Sequence, residues 1–168
     1  VNFVIFQGLF DAIVRDISDY NTGDVIITDE FDFIDKSDQS LIRWFERIPV
    51  VQAATPRLST TSEMNMTKNG KLIEETRISL VGVDPFNDIR ASTVHETVTE
   101  GSYVFSRNTI VLGSNVARDL GGAQVGDSVK VLVTDRYGQD QIRRFTVSGI
   151  ANSPGGQGFD YSAVIHID

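Results

Sequence analysis

The stretch that most narrows what this chain can fold into is residues 110–133, IVLGSNVARDLGGAQVGDSVKVLV. Ile110, Val111 and Leu112 form a brief apolar run stopped by Gly113, the pattern of a buried strand. Ser114 is placed to cap a short helix. Val116 and Leu120 are four apart and share one face of it. Gly121 falls where a left-handed C-cap residue ends a helix. Gly126-Asp127 makes a turn. Val129, Val131 and Val133 then alternate with Ser128, Lys130 and Thr134, as in a half-buried strand.

That stretch carries architecture and no chemistry. Asp119 and Asp127 are a weak anionic pair, with no nucleophile and base beside them. Its glycines fit caps and turns, and the Lys-Ser/Thr that follows a phosphate loop is absent.

The same residues carry a resemblance. Residues 110–113, Ala117, Leu120, Gly121, 125–127 and Val129 follow a pattern of the form "iVLG..lA..LG..vGD.v.l". Further matches are Val81-Gly82-Val83-Asp84-Pro85, Glu100-Gly101 before a strand, residues 147–150 (VSGI), and Phe159-Asp160 with the strand after it. In that order they resemble the extracytoplasmic core domain of ABC-transporter permeases of the MacB/FtsX-like and lipoprotein-releasing (LolC/LolE-like) type. The matches touch most of the chain.

Composition sets limits. At 168 residues the chain is long enough for one domain with a real core or two small lobes. A net charge of −8 argues against a nucleic-acid surface. Without cysteine there is no disulfide, no thiolate catalysis and no Cys-based zinc site. No apolar run approaches the ~20 residues of a spanning helix. The chain begins with Val and lacks a signal-peptide pattern, so it reads as a piece of something longer.

Residues 1–20 predict a helix, with Phe6, Phe10, Ile13, Ile17 and Tyr20 on one stripe. It is greasy up to Phe10 and amphipathic from Asp11 onward. That fits a helix packed on the core, or the end of a membrane helix leaving the bilayer. Residues 24–28 (DVIIT) predict a strand. Asp29, Glu30, Asp32, Asp35 and Asp38 follow, without the central Gly of a calcium loop, so they read as a solvated loop. Ser37 or Asp38 caps a helix with Leu41, Ile42, Phe45 and Ile48 on one face and Trp44 read as core. Pro49 stops it, and residues 50–54 predict a strand.

Residues 62–84 predict a hairpin about the Asn69-Gly70 turn. Met64 and Met66 alternate on one arm, Leu72, Ile78 and Leu80 on the other. Asn65-Met66-Thr67 matches a glycosylation sequon by three residues only. Residues 86–99 read as a helical turn and loop, with His95 at the surface. Residues 101–105 predict a short strand carrying Tyr103. Residues 142–150 and 161–167 predict two more strands. Between them, residues 152–158 (NSPGGQG) read as a mobile tip rather than a nucleotide loop.

With two isolated histidines and no cysteine, the usual catalytic sets are thin. The expectation is therefore no catalytic, cofactor or metal residue, with the partner-binding residues unassigned. The fold expected is α+β in two lobes. One is a sheet-plus-helix, porter-like lobe of residues 24–58 with 159–168. The other is a mostly β lobe of residues 62–152, with residues 1–20 as a stalk continuing from a membrane helix.

The resemblance implies more. Such a domain sits between the first two membrane helices of a four-helix permease that dimerises. A separate cytoplasmic ATPase drives it, and its partners outside the membrane are lipoproteins, peptides or envelope enzymes. Two departures stand out. Relatives that recruit a lipoprotein carrier have a longer arm where this chain has a short turn near Gly138, and family domains usually run beyond residue 168. Two rival readings are a free-standing soluble interaction module and a small acid-dependent hydrolase.

Overall fold

The computed structural model describes residues 25, 27, 39–68, 71–134, 138–153 and 159–167. The stalk helix at 1–20, the acidic run at 29–38, the Asn69-Gly70 turn and most of the 152–158 loop lie outside the described residues. Of the expected 24–28 strand only Val25 and Ile27 are described, and neither has regular structure.

Seven strands form the body: β1 (Arg57–Lys68), β2 (Lys71–Val83), β3 (Val98–Gly101), β4 (Thr109–Gly113), β5 (Ser128–Thr134), β6 (Asp140–Ala151) and β7 (Ser162–His166). The order β6-β4-β7-β2-β1-β5 closes on itself, because β5 also pairs with β6. β3 adds to β6 outside that ring. Closing the ring lets every one of its strands pair on both sides along part of its length. Among the described residues three short α-helices accompany the sheet: α1 (Gln39–Phe45), α2 (Pro85–Ala91) and α3 (Ser114–Asp119). The architecture is mixed α and β, dominated by sheet.

The two faces of the sheet bury separate cores. Met64, Ile78, Leu80, Ile110, Leu112, Val129, Val131, Phe145 and Ala163 fill the inside of the ring, joined by Val116 and Leu120 of the α3 region. Val83, Val111, Ala151 and Val164 face outward. They are covered by Val94, Tyr103, Val104 and Phe159. So β4 has both faces buried, and Ile110, Val111 and Leu112 are all inaccessible to solvent, as the unbroken apolar run predicted.

Two irregularities set which side chains point inward. Along β6, Phe145 and Val147 belong to the inner core, yet so does Ile150, three residues on. Strict alternation cannot do that. The register against β4 slips there: Ile110 pairs with Val147 and Val111 with Gly149, so Ser148 is the extra residue. This bulge reverses the parity of the strand. Gly149 is required beside it, since a Cβ there would stand 2.7 Å from the Ser102 carbonyl oxygen.

A second slip, at Met66/Thr67, sets Thr67 opposite Leu72 and leaves Ile73 over. Leu72 therefore turns away from the inner face that Ile78 and Leu80 occupy, and is exposed. The expected run of Leu72 with those two stops at the bulge.

Several expectations are corrected. Residues 51–56 have no regular structure, so the strand expected at 50–54 is absent. The chain there makes turns, with Val51 N–H donating to the Ile48 carbonyl, and runs into Pro56. No residue of α1 is buried, and Trp44 is 56% exposed instead of core. The strand expected at 101–105 lies earlier, at Val98–Gly101; Tyr103 follows it in irregular chain. The C-terminal strand β7, expected with the 24–58 lobe, lies between β2 and β4 in the ring. Its all-apolar centre, Ala163-Val164, needs two covered faces, and that position supplies them, Ala163 facing the inner core and Val164 the outer. At α3, Gly113 and not Ser114 holds the N-cap position, and no side chain caps the helix. Gly121 is left-handed as expected, with φ +73.

Gly113 has an ordinary backbone (φ −64, ψ 151), so its need is one of space. A Cβ would sit 2.4 Å from the Asp160 carbonyl oxygen and 2.5 Å from that of Phe159. The 3₁₀ turn Phe159–Tyr161 is pressed against it. The expected result for Gly113→Ala is a loss of about 1–3 kcal/mol in urea denaturation, the size of a forced overpacking. Ser114→Ala, which removes no cap, is expected to stay within about 0.5 kcal/mol of the parent.

Candidate functional site

Among the described residues three ionisable side chains are deeply buried: Asp88, Tyr103 and Asp160. They are where chemistry would reside, so their surroundings decide what the molecule can do.

Asp88 lies in α2, which starts cleanly. Asp84 caps it by accepting from Phe86 N–H at 3.1 Å, and Pro85 stands at the first position, where its missing N–H costs nothing. The helix thereby holds Asp88 over the outer core, fully buried. Arg57, at the start of β1, donates to Asp88 Oδ1 from Nε at 2.9 Å and from Nη2 at 2.8 Å. Tyr103 donates its hydroxyl to Oδ2 at 2.7 Å, and Ser92 donates to the same oxygen at 3.1 Å. Both oxygens are thus occupied by donors from β1, α2 and the 102–105 segment. The arrangement leaves the carboxylate no free side to accept a proton from a substrate. It ties three pieces of chain together.

Burial pushes the Tyr103 phenol well above its ordinary 10.0. The negative charge of Asp88 and the hydrogen bond to it add to the effect, and Arg57 partly opposes them. The hydroxyl is held as a donor. His95 stands beside it, ring centroids 6.3 Å apart, with Nδ1 3.1 Å from the Ser92 carbonyl. That oxygen can only accept, so Nδ1 carries the hydrogen. His95 is half-buried in this layer rather than at the open surface.

Asp160 does a comparable task. Its Oδ1 accepts from the Ser153 N–H at 2.8 Å and from the Ser153 hydroxyl at 2.9 Å. This links the two ends of the chain flanking 154–158. Of the other singled-out acids, Asp127 accepts from Gln124 N–H at 2.9 Å in the turn before β5, and Asp119 pairs with the adjacent Arg118. They are not brought together. Among the described residues no three His, Asp or Glu side chains converge as a metal would require, and no helix is long and apolar enough to cross a membrane.

Outside the network the layer presents aromatic surface. Phe86 is 66% exposed and Phe105 51%, with ring centroids 6.0 Å apart. Phe105 in turn meets Tyr103 edge-on at 6.0 Å. Sequence reading did not single out this group. Asp88, Tyr103 and Arg57 are 15 and 31 residues apart, and no local spacing announces such a set.

The fold and the saturated joints describe a scaffold. The family model for the MacB-like periplasmic core domain matches residues 2–168, and the chain belongs to that family. It is thus the periplasmic core domain of a MacB/FtsX-like permease. Among solved structures it is similar to a domain assigned to a permease protein from Porphyromonas gingivalis, with a TM-score of 0.50 and 19% identity. That match covers 71% of this chain and 48% of the other, so this chain spans about half the length of that domain. At that identity the likeness speaks for the fold. No curated protein matches the chain.

Arg57→Met takes the cation from the fully buried Asp88 carboxylate, and Asp88→Asn takes the buried anion from Arg57. Arg57→Met or Asp88→Asn is expected to lower stability by about 3–5 kcal/mol in denaturant titration. Tyr103 adds a pH signature. Its folded-state value is raised, so the folded form keeps its proton where the unfolded chain loses it. Its contribution is complete below the ordinary value of 10.0 and is lost as pH rises above it. Tyr103→Phe is expected to flatten the fall in stability between pH 10 and 12, measured by thermal melts across that range.

Proposed function

We propose that this chain is a non-catalytic outer domain through which an ABC permease passes ATP-driven motion of its membrane helices to a substrate or protein partner outside the membrane. The family match over residues 2–168 carries the reading. The buried network supports it: Asp88 joins β1, α2 and the 102–105 segment through charge-assisted bonds, which favours movement of the body as a unit. In this reading the working protein is a dimer of permeases with a cytoplasmic ATPase subunit. In the same reading the domain has two lobes, the chain before β1 forming the smaller and the β body, which takes in β7, the larger. Residues 1–20, whose sequence predicts a helix, serve as the lever between membrane and domain. A continuous helix has no soft joint, so displacement at its base reaches the lobe above it.

The test uses the full-length permease with its ATPase in membrane vesicles. A Gly-Gly insertion between Asp11 and Arg15 is expected to leave ATP hydrolysis within about twofold of the parent and to abolish transport or partner activation. Unchanged transport in that variant would remove the lever. A parent gene with no membrane-spanning segments would instead favour a free-standing interaction module.

A further inference from the structure

Helix α2 grips the 39–56 segment at two points of very different strength. The first is Arg57–Asp88, at the hinge where that segment runs into β1. Asp88 is fully buried, and its oxygens take four donor contacts of 3.1 Å or less. The second is two residues further along the same helix, close to the opposite side of it. Arg90 Nη2 stands 3.1 Å from Glu46 Oε1, at the end of α1, with the two side chains 53% and 26% exposed.

This second contact is shallow for two reasons. With the Arg90 side chain 53% exposed, such a pair stabilises by about 0–1 kcal/mol and is screened by salt. In addition, Glu46 Oε1 is shielded from water and receives no hydrogen bond of good geometry, so part of the attraction is offset by lost solvation.

Little else restrains α1 among the described residues. None of its residues is buried, and no other described element packs broadly on it. Between the two grips, residues 51–56 have no helix or strand to stiffen them. The aromatic surface of α2 lies on the same face as the weak grip, since Phe86 and Arg90 are four apart.

From this we propose that α2 works as a pivot and catch: Arg57–Asp88 is a permanent pivot, and Glu46–Arg90 is a releasable catch. The 39–56 segment swings from the β body when that ion pair breaks. Opening leaves the buried network untouched, so it proceeds without unfolding the body. The inference rests on the contacts themselves and not on the permease reading; it holds or fails in the isolated 168-residue chain.

The absence of cysteine makes the test direct. Spin labels are placed on introduced cysteines at Gln39→Cys and Glu100→Cys, both exposed, one on α1 and one on β3. Their distance distribution is measured by pulsed electron resonance. At low salt the parent is expected to show one main distance. Glu46→Ala and Arg90→Ala are each expected to raise the open-to-closed ratio about two- to fivefold, the size an exposed ion pair supplies. Sodium chloride at 1 M is expected to do the same to the parent and to add nothing in Glu46→Ala. The swapped pair, Glu46→Arg with Arg90→Glu, is expected to restore the closed population. Distributions in the single variants that overlay the parent would overturn the proposal. So would a drop in global stability beyond about 1 kcal/mol in Glu46→Ala, which would make the contact part of the fold rather than a catch.

Discussion

Strand β6 has to serve two neighbours in succession, and the closed sheet depends on how it does so. Its first half pairs with β5 and its second half with β4 and β3. Without the added residue at Ser148, the side chains after Val147 would point the wrong way, and Ile150 would leave the inner core. The bulge also bends the strand, which a ring of only six needs in order to close. Ser148 secures the kink by donating its hydroxyl to the Ile110 carbonyl at 3.2 Å, and its own carbonyl accepts from Ser102 N–H at 2.8 Å. One irregular residue thus fixes the inner core, the outer core and the position of the 102–105 segment that delivers Tyr103.

Sequence reading reached the parts of this design that depend on near neighbours. The β4 run, the face shared by Val116 and Leu120, the left-handed Gly121 and the alternation of Val129 with Val131 all follow from local spacing, and the structure bears them out. Leu72 and Ile150 escaped it because a bulge is defined by the opposite strand, which a linear pattern does not contain. Trp44 escaped it because an amphipathic stripe shows which side is apolar and not whether anything covers it. The strand expected at 50–54 had the right residues and lacks a described partner to pair with. Tyr103 was read as a strand residue when its importance lies in a bond to a helix elsewhere. The ordered family motifs fared better. Residues 147–150 (VSGI) are the bulge itself, while Gly113 and Phe159-Asp160 are two sides of one close contact.

The buried polar groups act as joints between elements. A catalytic carboxylate needs an unfilled coordination site; Asp88 is surrounded by donors on both oxygens, and Asp160 is committed to the chain around Ser153. These groups rigidify junctions between elements distant in sequence. Flexibility is left to places with little buried surface, as the open setting of α1 illustrates. The contrast between a stiff barrel and a lightly held flank is the physical basis on which a moving part can be mounted on a stable one.

The bond between Asp160 and Ser153 has a consequence for how this surface can diversify. By tying Ser153 to Asp160, it fixes the two points between which residues 154–158 must run. A different number of residues between those two points would leave the ends of β6 and β7 tied by the same bond, at a loop-closure cost that grows only slowly with length.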